Sequence, residues 1–375
     1  MKIAVIHDWL ENFSGAEQVL VKMCNELEKR GDITIYTLVD YMDNQTKADQ
    51  GLNWPVKVSF LQNLLFSKYL FRLFLPIMPV AIETFNLKEY DLVVSSSHAV
   101  AKNVLTHPYQ KNICMCYTPM RYVWDLRLDY VRPFTKFNPL KLIYFNLIKN
   151  LSIWDGLSSN RVDKFIAISE FINARIKKYY RRDSTVIYPP CEIQNFTPDE
   201  NILNNYGLVK NEYFVVVSRL IKYKKIDLLV DLFNQNGKVL VVIGDGPLRK
   251  KLQKKSNNNI IFLGKVQNNV KNNIVKNAKA FTFFAIEDFG IAPIEAQLLG
   301  IPVIGFNRGS LSETIVHLKT GLLVNSLDKS IINKYILELD NYKEITKEEC
   351  IKNGMRFSLK EFKDRFNKIC DETLK

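Results

Sequence analysis

No uncharged apolar run of about 18 residues occurs anywhere in the 375-residue sequence, so no segment is expected to cross a membrane as a helix. The opening stretch, Met1-Lys2-Ile3-Ala4-Val5-Ile6-His7-Asp8, turns polar too soon to be the core of a secretory signal. Cysteine is scarce. Of the six, at 24, 114, 116, 191, 350 and 370, only Cys114 and Cys116 lie close, in an apolar strand-like run, and no second pair exists to complete a zinc site. Reduced, structural cysteines and a cytoplasmic setting are therefore expected. Glycine and proline, at 15 and 13, are too few for a low-complexity chain. No G-x-G-x-x-G, P-loop, G-x-S-x-G or nucleic-acid motif is present, and no His/Cys/Asp cluster has metal-ligand spacing, so neither a metal nor a cofactor is expected and no nucleic-acid partner.

Acidic residues are also few relative to basic ones. The formal net charge is +13, with 24 basic and 18 acidic residues over 1–190 and 28 and 21 over 191–375. The excess is spread over both halves and favours partners of negative charge. Two segments contain no acid at all. In 51–82, Lys57, Lys68 and Arg72 are interleaved with Phe60, Leu64, Leu65, Phe66, Tyr69, Leu70, Phe71, Leu73 and Phe74. In 132–154, Arg132, Lys136, Lys141 and Lys149 stand among Phe, Leu, Ile and Tyr. Basic amphipathic segments can lie on an anionic bilayer, or can be core helices whose charges face water.

What is present is α/β alternation. Strands are expected at 3–7, 33–38, 56–60, 91–95, 113–117 and 164–168, then at 213–218, 238–243, 260–263, 280–284, 302–306 and 322–324, with helices between them. Such alternation predicts parallel sheets covered on both faces. Pro189-Pro190 interrupts it, because consecutive prolines fit neither a helix interior nor a central strand. Two Rossmann-like domains follow, 1–190 and 191–355, with a terminal helix in 356–375. Ligands in such folds bind outside the carboxyl ends of the strands, here in a cleft between the domains.

The residues with chemistry fall at those ends. Glu287-Asp288-Phe289-Gly290-Ile291-Ala292-Pro293-Ile294-Glu295 follows a strand, and Pro293 suits the first turn of a helix. Backbone amides at Gly290 and Ile291 would then offer an anion site, and Glu287 and Glu295 would accept hydrogen bonds from vicinal hydroxyls. The same two acids can equally be a solvated loop residue and a helix-dipole partner. Arg219 and Lys224 follow another strand, at the expected start of a helix, and can hold a diphosphate, or can be one more basic patch; Lys222 and Lys225 are as close in sequence. Gly15, in Ser14-Gly15-Ala16-Glu17, allows close approach of backbone to a ligand. His98 ends a strand after Ser95-Ser96-Ser97, and His7 ends the first strand. Gly244-Asp245-Gly246-Pro247 reads as a tight structural turn.

Taken together, these motifs resemble glycosyltransferase family 4, retaining enzymes with the GT-B fold. The match runs through Ile6-His7-Asp8-Trp9, Ser14 to Glu17, Ser95 to His98, Thr118-Pro119-Met120-Arg121-Tyr122, Tyr188-Pro189-Pro190, Ser218-Arg219-Leu220, Gly244 to Pro247 and Glu287 to Glu295. The nearest subgroup resembles bacterial mannosyltransferases of O-antigen and exopolysaccharide assembly. The resemblance implies a hexosyltransferase using a nucleotide-diphosphate sugar, GDP-mannose favoured, on a lipid-linked saccharide at the inner face of the cell membrane. A UDP-sugar transferase, a nucleotide-sugar epimerase and a non-catalytic membrane scaffold are the alternatives. It further implies that Glu287 holds donor-sugar hydroxyls and Glu295 the ribose. Arg219 and Lys224 would bind the diphosphate, with Phe289, Gly290 and Ile291 also at the donor. The Gly15 loop would close over the diphosphate, His98 would contact the donor sugar and Arg121 would face the acceptor. The chain departs from the family pattern at Ser14, where a second glycine is usual, at Gly309-Ser310-Leu311-Ser312-Glu313-Thr314, where Gly-Gly-x-x-Glu-Thr is usual, and at Tyr117, where histidine is common before Thr-Pro.

Overall fold

A computed structural model describes residues 1–64, 67–125, 139–194, 196–199 and 201–375. The chain divides into two compact units, Met1–Tyr188 with Phe362–Lys375, and Pro189–Glu361.

Among the described residues, the first unit is built on a parallel sheet of seven strands: β1 (Lys2–His7), β2 (Asp32–Thr37), β3 (Val56–Val58), β4 (Leu92–Ser97), β5 (Lys111–Cys116), β6 (Lys164–Ala167) and β7 (Ser184–Val186), in the order β3-β2-β1-β4-β5-β6-β7. The described residues of the second unit form six parallel strands: β8 (Tyr213–Val217), β9 (Val239–Ile243), β10 (Ile260–Gly264), β11 (Ala280–Phe283), β12 (Val303–Phe306) and β13 (Gly321–Val324), in the order β10-β9-β8-β11-β12-β13. The sequence reading identified all of these except β7, whose Ser184-Thr185-Val186 has only one apolar residue. Both sheets reverse direction of winding beside their first strand, between β1 and β4 and between β8 and β11.

The unbroken apolar runs of the strands follow from burial on both faces. In β8 and β9, Tyr213, Val215, Val241 and Ile243 pack into one core, and Phe214, Val216, Leu240 and Val242 pack into another on the opposite face. Side chains of successive strand residues point to opposite sides, so a sheet sandwiched by helices needs apolar residues at every position.

The terminal helix Leu359–Leu374 buries Phe362, Phe366, Ile369, Cys370 and Thr373, a stripe at three- and four-residue spacing. Its partner is the helix Gly15–Leu27 and the turn after it. The Asn367 amide donates to Glu26 Oε2 at 2.9 Å, Lys363 Nζ lies 3.2 Å from Glu26 Oε1, and Arg30 donates to Asp371 Oδ1 at 2.5 Å. Phe357 lies outside this stripe, in a preceding turn within the second unit. All six cysteines are free and buried, including Cys114 and Cys116 on β5. Among the described residues no helix is long and apolar enough to cross a membrane.

One buried ion pair braces the first unit. Lys102 and Asp155 are fully buried, 2.6 Å apart. Lys102 Nζ also donates to Ala99 O at 2.8 Å, and Asp155 accepts from Tyr180 OH at 2.8 Å, Trp124 Nε1 at 2.9 Å and Asn103 Nδ2 at 3.2 Å. Burial pushes the Lys102 ammonium down, but the facing Asp155 outweighs it and holds the pKa above the usual lysine value. Asp155 belongs to the helix Pro139–Ser158, and Lys102 to the turn after β4. Removing one partner strands a buried charge, so Asp155→Ala is expected to cost about 3–5 kcal/mol in denaturant unfolding. A loss below about 1 kcal/mol would mean the brace carries no stability.

Candidate functional site

Residues singled out in the sequence gather at the two places where the sheets reverse. Crossovers leaving in opposite directions keep the carboxyl ends of the two neighbouring strands uncovered there.

In the second unit, β8 runs into a loop that carries Arg219, then a short 3-10 turn, Lys222–Lys224, before the helix Ile226–Asn236. Arg219 therefore lies in the loop and not at a helix start as the sequence suggested; its side chain is exposed. The loop is shaped by the turn 244–247. Gly244 has φ +127°, and a Cβ there would lie 2.0 Å from Ser218 O; a Cβ on Gly246 would lie 2.6 Å from Leu220 O. These glycines are structural, as their context in the sequence indicated, and they set the path of the loop holding Arg219.

Across the reversal, β11 leads into Glu287–Gly290 and the helix Ile291–Leu298, which starts two residues before Pro293. Gly290, at φ +77°, is its N-cap. The first amides of such a helix have no intrahelical acceptor and carry the positive end of its dipole. A neighbouring turn props the loop: Ser310 N donates to Glu287 O at 3.0 Å and Ser310 Oγ to Phe289 O at 2.5 Å. Gly309 has φ +68°, and a Cβ there would come within 2.6 Å of Glu287 O. Ser310, where the family pattern has glycine, is thus a loop anchor. Phe289 turns inward, edge-on to Phe357 with centroids 5.8 Å apart, so only its backbone remains on the loop's polar side.

Each glutamate of the motif is closed on a lysine. Lys224 Nζ lies 2.5 Å from Glu287 Oε1, and Lys271 Nζ, from the helix Asn268–Lys276, lies 2.8 Å from Glu295 Oε2. All four side chains keep between 14% and 22% of their surface exposed, so each charge is compensated yet remains accessible to a ligand. Lys224, Glu287 and Glu295 were legible in the sequence. Lys271 was not, since nothing distinguishes it within a polar, asparagine-rich helix.

In the first unit, the end of β1 faces the end of β4. Asp8 is fully buried there and accepts four successive backbone amides: His98 at 2.6 Å, Ala99 at 3.0 Å, Val100 at 2.7 Å and Ala101 at 2.7 Å. Burial pushes this carboxyl up, but the nearby His98 and these amides outweigh it and hold its pKa below the usual range. His98 Nδ1 sits 3.1 Å from Asp8 Oδ2, off the line of a hydrogen bond, and the ring stands edge-on to Trp9 at 4.5 Å. Burial lowers the His98 pKa, and the charges of His7 and Arg121 push the same way against Asp8. Arg121 is thus within electrostatic reach of His98. About a quarter of the His98 side chain still reaches solvent.

Beside Asp8, His7 Nδ1 is 3.0 Å from Ser96 Oγ and His7 Nε2 is 3.4 Å from Glu17 Oε1. Glu17 also accepts from Ser14 N at 2.9 Å and Ser14 Oγ at 2.5 Å, which fixes the turn around Gly15. Asp8 and Glu17 both stood inside quoted motifs without an assigned role. Ser14-x-x-Glu17 is a capping-box spacing and was a readable signal for the second; nothing local pointed to Asp8, whose partners lie some 90 residues away. Among the described residues no group of three or more His, Cys, Asp or Glu is gathered to hold a metal.

The chain is similar to known proteins in sequence and fold. Residues 199–357 match the model of the family Glycosyl transferases group 1. An uncharacterized glycosyltransferase of Methanocaldococcus jannaschii is 26% identical over 58% of this chain and 61% of its own length. The GDP-mannose-dependent alpha-(1-6)-phosphatidylinositol monomannoside mannosyltransferase of Mycobacterium tuberculosis is 26% identical over 46% of this chain and 51% of its own length. The match to this chain thus spans only about half to three fifths of those two relatives. The alpha-1,3/1,6-mannosyltransferase ALG2 of Dictyostelium discoideum is 24% identical over 98% and 97%. Anabaena HepE, crystallised in complex with UDP, superposes with a TM-score of 0.73 over 99% of this chain and 100% of its own, at 17% identity. The fold is that of the GT-B glycosyltransferases.

Burial pushes the Glu17 carboxyl up, but His7 and Ser14 more than offset it and hold its pKa at about 2, against about 4.5 in an unfolded chain. A carboxylate with a depressed native pKa stabilises the fold fully above the unfolded value and loses that contribution as pH falls through the native one. Acid unfolding should therefore show a loss between about pH 4.5 and 2, worth roughly 3 kcal/mol from Glu17. In Glu17→Gln this part of the pH dependence should vanish; an identical acid profile in the variant would contradict the assignment.

Proposed function

We propose that this protein is a retaining hexosyltransferase that moves mannose from GDP-mannose to a lipid-linked saccharide of the cell surface. The observation that carries the reading is the pairing of Lys224 with Glu287 beside the N-terminus of the helix Ile291–Leu298, with Glu295 on that same helix, all inside the matched domain. A diphosphate attracts Lys224 and Arg219 and accepts from the helix amides. Once Lys224 turns to the phosphate, Glu287 is left to accept from sugar hydroxyls, and Glu295 from the ribose. The mannosyltransferase relatives support GDP-mannose as donor. A UDP-sugar is the second reading, supported by the likeness to the UDP-bound HepE fold.

In the reaction, the bond from the sugar's anomeric carbon to the diphosphate oxygen breaks, and the acceptor hydroxyl oxygen bonds to that carbon from the same face. The departing phosphate takes the hydroxyl proton. Arg219, Lys224 and the helix N-terminus stabilise the charge that grows on the leaving diphosphate, so no metal is needed. Burial lowers the pKa of His98, and its ring is suited to hydrogen-bond a sugar hydroxyl. The Gly15 turn serves the diphosphate and Arg121 the acceptor.

Arg219→Ala and Lys224→Ala should each lower turnover by about two orders of magnitude or more, with little change in stability. EDTA should leave the rate unchanged. Wild-type rates in both variants would remove the phosphate clamp, and strict dependence on a divalent cation would remove the metal-free mechanism.

The same reading puts the enzyme on the inner face of the cell membrane, held there reversibly. Leu70, Leu73, Ile77 and Val80 are exposed in the first acid-free segment near Lys68 and Arg72, although Arg72 also pairs with Glu11. Ile143, Leu147 and Ile153 are exposed in the second, and Leu157 just beyond it, with Lys149 nearby. Arg132 and Lys136 lie outside the described residues. Each basic residue contributes roughly 1 kcal/mol at an anionic surface, within a Debye length of about 10 Å at 0.1 M salt. Binding to anionic vesicles is expected to fall as salt rises. Lys68→Glu with Arg72→Glu should weaken it while nucleotide binding stays intact. Equal binding to neutral and anionic vesicles at every salt concentration would contradict this.

A further inference from the structure

The first helical turn around Gly15 is held from a second side, by a residue just past the end of β5. Tyr117 follows β5, and its hydroxyl reaches Ala16 O at 3.1 Å and Ser96 Oγ at 2.9 Å. The phenol has one proton. Ala16 O can only accept, so Tyr117 donates to it, and the phenol oxygen accepts from Ser96. Ser96 then accepts from His7 Nδ1, and His7 Nε2 lies 3.4 Å from Glu17 Oε1, a contact that is a hydrogen bond when the imidazole carries both protons. Glu17 closes the circuit on Ser14, whose backbone amide and hydroxyl both donate to its Oε2. The chain of bonds starts and ends on the same four-residue turn, and its links come from β1, β4, β5 and the first helix. Burial pushes the Tyr117 hydroxyl far above the usual tyrosine range, so it stays protonated and able to donate.

Ser14 caps the helix Gly15–Leu27 and Gly15 opens its first turn; such terminal turns fray, and a ligand that needs the turn formed is weakened by the inverse of the fraction of time it is formed. We infer that Tyr117 and Ser14 are positioning residues that hold the Gly15 turn in its ligand-ready form before any nucleotide arrives. These are the two positions in this region where the chain departs from the sequence pattern it resembles, and they act on one turn. The inference rests on the reading of Gly15 as part of the donor site.

The test uses the full chain in two measurements. The first is hydrogen exchange of the ligand-free protein at Ser14 and Gln18, the amides of this turn bonded to Glu17 Oε2 and Ser14 O. In Tyr117→Phe and in Ser14→Ala, exchange there should rise about tenfold, the effect of losing one ordinary hydrogen bond, and Ser14→Thr should restore it. The second measures GDP and UDP dissociation constants, and kcat at saturating donor sugar. Affinity should fall about twofold or more in Tyr117→Phe and Ser14→Ala, the loss reached when tenfold easier opening leaves the turn formed about half the time, with kcat within about threefold of wild type and recovery in Ser14→Thr. Unchanged exchange in both variants overturns the inference. So does faster exchange with unchanged nucleotide affinity. Should the wild-type protein bind neither GDP nor UDP, the donor reading itself falls and takes this role with it, an outcome recognised before any variant is made.

Discussion

In each sheet, two adjacent parallel strands send their crossovers to opposite sides, and the backbone beyond their carboxyl ends has no neighbouring strand to bond with. Those groups must find other partners, because an unpaired buried amide costs about as much as a lost hydrogen bond. The first unit solves this internally. One carboxylate, Asp8, takes four consecutive amides from the turn after β4 and so fixes where His98 stands. In the second unit the corresponding place holds a helix N-terminus at Gly290, and Glu287 before it is held by Lys224. The same topology therefore ends in a buried carboxylate in one unit and in a helix N-terminus beside a partly exposed ion pair in the other.

Charge pairing continues the theme. Lys102 with Asp155 is sealed, and every polar atom of the pair that the bracing requires is bonded to protein. Lys224 with Glu287 and Lys271 with Glu295 are only partly covered. A sealed pair has no use for a ligand, since opening it would strand two charges. A partly exposed pair can be exchanged for a ligand phosphate and ligand hydroxyls with little loss, because water and the ligand share the compensation. This difference in burial is what separates the structural ion pairs from those offered as a binding site.

Much of this was readable from sequence because parallel strands buried on both faces are short, wholly apolar and regularly spaced. β8, Tyr213-Phe214-Val215-Val216-Val217, declares itself in this way. β7 does not, since an edge strand with one covered face needs no apolar run. Glu287, Gly290 and Glu295 were legible because their spacing around a strand end and a helix start encodes the geometry. Asp8, Tyr117 and Lys271 were not legible as site residues. Their roles depend on partners about 90, 100 and 24 positions away, which only folding brings together. Arg219 was identified by type and order, but the placement expected at a helix start gave way to a loop whose path is set by Gly244 and Gly246.

In the proposed reading, the second unit's glutamate–lysine pairs open to admit a nucleotide diphosphate. A crystal structure of the protein with GDP measures this directly. The account predicts the diphosphate at the N-terminus of the helix Ile291–Leu298 with Lys224 Nζ turned from Glu287 onto a phosphate oxygen, and the ribose hydroxyls on Glu295. GDP bound elsewhere, or both lysines still closed on their glutamates with the nucleotide in place, would contradict it.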